Sequence, residues 1–518
     1  MNADKSMTKS SSRSVRKSWN FSLSQTEALH AVLERVLEPI GCSALVLPDG
    51  MVLHIRPSGP ADLATLPQAA SLCQQYLRLR DGEVAMLNDP YSGGTHLSDL
   101  TLVMGAVFDS PGTGTEADIL IVRRLSLPPR FTGRNNVDDE GVRIPPTPLV
   151  SGRELNTGLL EAVAMHPLAP VGLGAAVKDA LLGLEQVRAE LKSLGADPAG
   201  ELKKANLKRY LADSGRVFEM KMNRLPLGMT TVSTQLEGGA TVKLILTVSE
   251  SRIHFDFAGT DASTTIGLTE MTTFGACLAA VTSVLREKIP MNAGSFEHIQ
   301  VSTPAKTLLS TRAPSGTFRG INAGVAIVAE LVQAALAKLN PLLAVAPAIG
   351  ADSHFLLTFN DGRVLAGHLP SGAGAQKAAD GADALALWAP RFAFDITLEE
   401  SERRFPLVWQ QAGVRPSSGG KGQKRGGDGA VRAFRVSEAA KFRWLSAQRG
   451  AKATGLEGGQ AGLPTLIEVV RVKPTKAGAS GETEREEFSA SEGEIALQPG
   501  DKVTLLTSGG AGYGKVNE

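Results

Sequence analysis

The chain has little cysteine, few aromatic residues, almost no net charge and no long apolar run, and each scarcity excludes something. Its three cysteines, Cys42, Cys73 and Cys277, are too few and too scattered for a disulfide framework or a cysteine-based zinc site. They read as buried thiols of a reducing cytoplasm. A net charge of +1 in 518 residues provides no global field to draw nucleic acid or acidic lipid. No apolar run reaches the roughly 18 residues of a membrane span. The first seventeen residues hold five Lys or Arg, one Asp and a serine cluster. No apolar segment follows them, so residues 1–20 are expected to be a disordered basic tail and not a secretory signal. No G-x-S-x-G elbow is present for acyl chemistry.

What remains is an ordinary globular composition, 42% hydrophobic and 21% charged, with 55 glycines for turns and tight loops. The length calls for several domains, divided here into 21–225, 226–405 and 406–518. Ser24 and Glu27 make a capping box before the apolar positions 28–36. Residues 42–47 and 51–55 flank Pro48-Asp-Gly50 as a hairpin. Residues 66–79 read as helix with Pro67 in its first turn, then 84–87, 100–108 and 119–122 as strands. Residues 123–148 show no periodicity. A long amphipathic helix is expected over 172–194, with Gly195 as its C-cap, and a second over 199–211.

Beyond residue 226 the pattern changes. Val242, Leu244, Leu246 and Val248 alternate, as do Ile253, Phe255 and Phe257, and together they read as an antiparallel hairpin. Helices follow over 271–287 and 323–339. From residue 406, strand-like pieces at 407–414, 430–436, 441–446, 466–472 and 503–507 are joined by glycine-rich loops. The class is α+β, with a β-rich C-terminal region.

Candidate chemistry begins at Asn88-Asp-Pro-Tyr-Ser-Gly-Gly-Thr-His-Leu-Ser-Asp99. A turn needs Pro90 and the glycine pair, but not His96 and Asp99 three residues apart. Imidazole and carboxylate suit Zn, Mn or Fe, although a third protein ligand is not named by the spacing. The alternative is a turn in which Asp99 caps backbone amides. Gly509 to Lys515 approaches a phosphate-loop pattern, but Val516 stands where Ser or Thr should be, and a close-packed glycine run is expected instead. Ser417 to Gly429, with Lys421, Lys424 and Arg425, reads as a tight loop in which Arg425 and Asp428 pair. It lacks the aromatics of a nucleic-acid platform. Ser371-Gly-Ala-Gly-Ala375, just after His368, is either part of a ligand pocket or a turn at a domain seam.

These landmarks together resemble the hydantoinase B family: Asn88 to Asp99, Glu140-Gly-Val-Arg-Ile-Pro-Pro146, Glu154-Leu-Asn156, His254 to Thr260, Ile289-Pro-Met-Asn-Ala-Gly294, Ser418 to Gly429 with Arg432, and Thr507 to Gly514. The resemblance implies a multi-domain α+β architecture with antiparallel sheets and packed helices. It also implies a cytoplasmic hetero-oligomer in which a hydantoinase-A-like partner binds ATP and activates a small cyclic amide or ketone by phosphorylation. In this chain it implies catalytic roles for Asp89, His96 and Asp99, a divalent metal (Mn, Zn or Fe) on His96 and Asp99, and substrate contacts at His368, Ser371 and Gly372.

The departures from the family pattern are specific. Where relatives carry a histidine that completes the metal set, this chain reads Ile121-Val-Arg-Arg-Leu-Ser-Leu-Pro128. His354, His368 or His166 would have to substitute. The segment at Ala389-Pro-Arg391 and the small-residue loop at 371–375 differ as well. Two readings follow: the B subunit of an ATP-dependent cyclic-amide hydrolase with a remodelled site, or a non-catalytic scaffold subunit of such a complex or of a related carboxylase.

Overall fold

The computed structural model describes residues 23–516, apart from 109–115, 131–135, 198–201, 237–238, 263–266, 286–288, 349, 386, 389–395, 449–453, 473–482 and 490. The expected basic tail and the segment at 389–391 lie outside the described residues. Helices and mainly antiparallel sheets are mixed throughout, as the α+β reading required, with one parallel pair between residues 253–256 and 299–302.

Strands β1 (Ser43–Val46), β2 (Val52–Arg56), β3 (Val84–Leu87), β4 (Asp99–Ala106), β5 (Ile119–Ser126), β6 (Thr147–Ser151) and β7 (Glu154–Leu155) form one sheet. Their order is β2-β1-β5-β4-β3-β6-β7. Helices α1 (Leu23–Leu37), α2 (Asp62–Leu77), α3 (Thr157–Ala164), α4 (Leu173–Ala196) and α5 (Lys204–Met222) surround it. Alternate residues of one strand point to opposite faces. Leu100, Leu102 and Met104 of β4 join a core with α1 and α4, while Val103 joins another with α2. A sheet covered on both faces needs apolar side chains at every position, which is why residues 100–108 show no alternation.

Strands β8 (Gly228–Gln235), β9 (Thr241–Val248), β10 (Ile253–Asp256) and β11 (Ile299–Ser302) form a second sheet, in the order β11-β10-β9-β8. Only its inner face is covered. Val242, Leu244, Leu246 and Val248 are buried while their neighbours are half-buried, so here the alternation is visible in the sequence. Helices α6 (Glu270–Leu285), α7 (Ala293–Phe296) and α8 (Val325–Leu339) complete this region, and α6 and α8 share a core with α2 and the second sheet. The stretch Gly320–Leu339 is long and apolar enough to cross a membrane by composition, but most of it is buried inside the protein as a core helix.

The remaining elements are β12 (Gly350–Phe359), β13 (Val364–Leu369), α9 (Leu398–Arg404), β14 (Leu407–Val414), β15 (Ala430–Val436), β16 (Ala440–Gln448), β17 (Leu466–Val472), β18 (Thr483–Phe488), β19 (Glu492–Leu497) and β20 (Lys502–Leu506). Two sheets result, β13-β12-β16-β19 and β14-β15-β20-β17-β18. Phe355, Phe434, Phe442, Trp444, Val469 and Leu505 fill the space between them. The first of these sheets takes strands from both sides of residue 406.

Several local expectations are corrected. Helix α2 starts at Asp62, so Pro67 lies inside it and not in its first turn. The Asp62 carboxylate accepts from the Ser58 and Gly59 amides at 2.9 and 3.0 Å, and this anchors the earlier start. Strand β5 continues through Arg123 and Arg124 to Ser126. Helix α5 runs eleven residues beyond its expected end at Leu211. Gly195 is no C-cap: it sits within α4, where a Cβ would overlap the Phe108 carbonyl. Arg425 pairs with Asp383 at 2.7 and 3.0 Å, while Asp428 accepts from the Ser417 and Gly419 amides.

The three glycine-rich loops at 371–381, 418–429 and 507–514 cross one another backbone to backbone. A Cβ on Gly372 would overlap the Gly427 carbonyl, and one on Gly510 the Ala373 carbonyl. Only glycine permits such approach. These motifs build a platform, and the close packing around Gly509 to Gly514 leaves no cradle for phosphate.

Candidate functional site

The loop that delivers His96 is fastened by Asn88, at the end of β3. The Asn88 side chain donates to the Leu97 and Val142 carbonyls at 2.8 and 2.7 Å and accepts from the Ile144 amide at 2.6 Å. It thereby joins the first motif to the segment Glu140–Pro146. The Asp89 carboxylate accepts from the Tyr91 amide at 3.2 Å and the Ser92 hydroxyl at 3.1 Å, capping the 3-10 turn Pro90–Ser92. Gly93, at φ +98°, lies against the Ala69 backbone, and Gly94 lies against the carbonyl of Asn88.

At the head of β4 the chain turns inward, and His96 and Asp99 are both buried, 1% and 5% exposed. The Nε2 of His96 lies 3.5 Å from Oδ2 of Asp99, which accepts from the Thr95 hydroxyl at 2.5 Å. Nδ1 of His96 is 2.9 Å from the Ser98 hydroxyl. Burial pushes the imidazole below its ordinary range, against the pull of Asp99 and with the push of Arg124. This favours the neutral ring, in which a proton on Nδ1, toward Ser98, would leave a lone pair on Nε2. That nitrogen and Oδ1 of Asp99 are buried and take part in no hydrogen bond among the described residues. They are two donors of the kind a borderline divalent ion accepts, or a place where water could lose a proton.

Arg124 projects from β5 toward this loop. Its guanidinium donates to Asp62 at 2.6 Å, to the Thr65 hydroxyl at 2.7 Å, to the Gly93 carbonyl at 2.7 Å and to the Thr101 hydroxyl at 3.1 Å. Burial alone would raise the Asp62 carboxyl. The guanidinium and the hydrogen bonds from Ser58 and Gly59 outweigh it and hold Asp62 below the usual carboxylate range. Among the described residues no group of three or more His, Cys, Asp or Glu gathers to hold a metal. His96 and Asp99 therefore stand as a pair without a third such side chain among the described residues, and a fixed cation, Arg124, holds the loop that carries them.

The histidines that would complete the set stand in file. The His96 ring is 5.1 Å from that of Phe318, Phe318 is 6.2 Å from His354, and His354 is 5.2 Å from His368. His354 and His368 are opposite one another across β12 and β13. His166 is exposed and accepts from the Leu168 amide.

His368 Nε2 is bonded to the carboxylate of Asp352. Asp352, Ser371 and Gly372 line a cavity of about 560 Å³ between α8 and the glycine platform. The expected site residues thus divide into two places. His96 and Asp99 form a buried pair, and Ser371 and Gly372 form a cavity wall with His368 behind it. Asp89 belongs to the turn outside.

Three side chains here had no role assigned from sequence. Glu140 is buried, accepts from the Phe318 amide at 3.0 Å through Oε1, and has Oε2 without a hydrogen-bond partner among the described residues. Burial raises its carboxyl to about 7. Asn322 and Asp352 both line the cavity. Glu140 was visible within the Glu140–Pro146 motif. Asn322 was visible as a polar residue within the otherwise apolar run 320–329.

The chain matches the hydantoinase B/oxoprolinase family over residues 38–516. It is 24% identical to a 5-oxoprolinase of Dictyostelium discoideum over 510 residues, covering 91% of this chain but 37% of that protein. It therefore spans little more than a third of that relative's length. Its fold is similar to that of an ATP-dependent caprolactamase from Pseudomonas jessenii, with TM-score 0.77 and 18% identity, over 95% of this chain and 90% of that one. It is also similar to nucleotide-free acetone carboxylase, with TM-score 0.74 and 15% identity, over 95% and 73% of the two chains. Match, order of motifs and fold agree: the chain belongs to the hydantoinase B/oxoprolinase family.

Proposed function

We propose that this chain is the B-type subunit of an ATP-dependent hydantoinase/oxoprolinase-like complex, acting in hydrolysis of a cyclic amide that a hydantoinase-A-like partner activates by phosphorylation. The observation that carries this reading is the buried His96–Asp99 pair, whose Nε2 and Oδ1 take part in no hydrogen bond among the described residues. Buried polar groups of a folded protein ordinarily find a partner, and the described residues around this pair supply none to these two atoms. The packed glycine run at 509–514 supports assigning ATP to the partner. On this reading the complex is a cytoplasmic hetero-oligomer.

His96 and Asp99 are the donors this chain would offer a divalent metal. Remaining coordination positions come from outside the pair, because a catalytic site keeps three protein ligands as a rule. When bound, the metal would polarise a carbonyl or activate water. The chain's own part is to hold both donors rigidly through Thr95 and Ser98 and to keep the imidazole neutral.

Arg124 favours a second reading, a scaffold subunit without catalysis. A buried guanidinium beside His96 opposes a divalent cation. Metal analysis of the chain copurified with its partner separates the two readings. Stoichiometric metal that is lost in His96→Ala, with ATP-dependent opening of hydantoin, 5-oxoproline or caprolactam abolished, supports the first. An intact complex with neither metal nor amide hydrolysis in the wild type supports the second.

A further inference from the structure

Helix α8 is apolar for most of its length, and Val325, Val328, Leu331, Val332 and Leu336 are buried in the core it shares with α2 and α6. Its other face carries Gln333, among Ala326, Ala334 and Ala337, to the wall of the 560 Å³ cavity. Gln333 is only 7% exposed. Its carboxamide makes no hydrogen bond among the described residues, yet both amide atoms remain open to a water-sized molecule. A carboxamide so placed has to be met by water or by a ligand, because leaving it bare costs about 1–3 kcal/mol. The cavity is where either would stand.

Two aromatic side chains repeat this condition. Trp388 and Tyr513 line the same cavity, and each is 8% exposed. The indole N–H and the phenol hydroxyl make no hydrogen bond among the described residues and are likewise open. Both residues are held from behind, Trp388 by the core of α6 and α8 and Tyr513 by backbone hydrogen bonds to Lys424 of the glycine platform. Charged groups of the wall are engaged elsewhere: Glu330 by the Ala348 amide at 3.3 Å, Lys338 by the Thr231 carbonyl at 2.9 Å, and Asp352 by His368, while Glu457 is exposed. Selectivity therefore falls to neutral groups. An aromatic-lined space of this size with a few fixed polar groups is the ordinary form of a small-molecule site.

A carboxamide offers an acceptor and a donor side by side. Its complement carries N–H and C=O on one edge, as a ring amide does because the ring holds that bond cis. An open-chain secondary amide is trans and sets the two groups on opposite sides.

We propose that this cavity is a binding site for ring amides, in which the ring N–H donates to Oε1 of Gln333 and the ring carbonyl accepts from its Nε2, with Trp388 and Tyr513 as the aromatic wall. The site is separate from the His96–Asp99 pair. The class of ligand follows from the Gln333 carboxamide; that such a ring would also be the substrate rests on the proposed function.

Calorimetric titration of the full chain tests this without ATP or a partner. The probes are 2-pyrrolidinone, N-methyl-2-pyrrolidinone, which is the same ring without the N–H, and N-methylacetamide, which has the same groups in the trans arrangement. For a ligand of so few atoms a dissociation constant on the order of millimolar is expected for 2-pyrrolidinone. Each of the other two should bind at least about tenfold more weakly, the worth of one hydrogen bond. Gln333→Met keeps the length of the side chain and removes both polar atoms. It should weaken 2-pyrrolidinone about tenfold, erase its advantage over the N-methyl ring, and leave the melting temperature at or above that of the wild type. Absence of 2-pyrrolidinone binding, equal affinity for the two rings or for the trans amide, or unchanged affinity in a folded Gln333→Met would overturn the proposal. Failure of ATP-dependent hydrolysis would count against the proposed function and leave this titration standing.

Discussion

The Arg124 guanidinium lies 2.6 Å from the Asp62 carboxylate, and the two side chains are 1% and 4% exposed. The pair ties β5 to the start of α2, and through the Gly93 carbonyl it also holds the loop that carries His96. A fixed organic cation therefore organises the candidate site, and its removal should be felt there.

Arg124→Met alone strands a buried carboxylate. It should cost about 3–5 kcal/mol in urea unfolding. Adding Asp62→Leu removes the stranded charge and should recover most of that loss. A double variant as unstable as the single would show that the charge is not what matters.

Glu140 sets a pH dependence. Its folded carboxyl is raised from 4.5 to about 7, so between those values the folded state binds more protons than the unfolded chain. Stability conferred by the protonated form is full below the unfolded value and is lost as pH rises through the folded one. The loss should be on the order of 3 kcal/mol across that window, because each tenfold gain in proton affinity is worth about 1.36 kcal/mol. Glu140→Gln should flatten this part of the stability profile measured by denaturant titration. A variant with the same slope as the wild type would remove Glu140 as the cause.

Asn88 makes three hydrogen bonds from a side chain that is 1% exposed. Asn88→Ala should lower stability by about 2–4 kcal/mol, because buried backbone groups lose their partners. Hydrogen exchange should rise at residues 95–99 and 142–144 together. An increase confined to one segment would refute the link between the two motifs.

The glycine platform gives a matched pair. Gly374→Ala would place a Cβ on the Ala346 carbonyl and should prevent stable folding or lower the melting temperature sharply. Gly413 in β14 has nothing within 4 Å of such an atom. Gly413→Ala should be neutral or stabilise by up to about 1 kcal/mol. Similar melting temperatures for the two variants would contradict backbone crossing as the reason for these glycines.

Elements whose sequence carries a local period or a turn signal were legible. The hairpin around Asp49-Gly50, the alternation of β9 and β10 and the long amphipathic α4 needed only period and turn chemistry. The lower bound of α2 was not legible, because Asp62 starts that helix through Ser58, Gly59 and a guanidinium sixty-two residues away. Nor was the length of β5, where two arginines look like loop but are neutralised by tertiary partners. β12 and β13 escaped because β12 finds its second neighbour, β16, only about ninety residues later in the chain.

The sequence by itself determined the family, through spaced motifs in order, and the pairing of His96 with Asp99, which a three-residue spacing brings to one turn. It also determined that the glycine runs are structural, since a phosphate loop needs a hydroxyl and a helix that are not there. Only the tertiary structure decided that Arg124 holds the loop of His96, that Phe318 packs against both His96 and His354, and that Asn322 and Asp352 line one cavity. The physical reason is distance along the chain. Contacts within a turn are fixed by local geometry, whereas charge neutralisation, ring stacking and cavity walls depend on which distant elements the burial of apolar surface brings together.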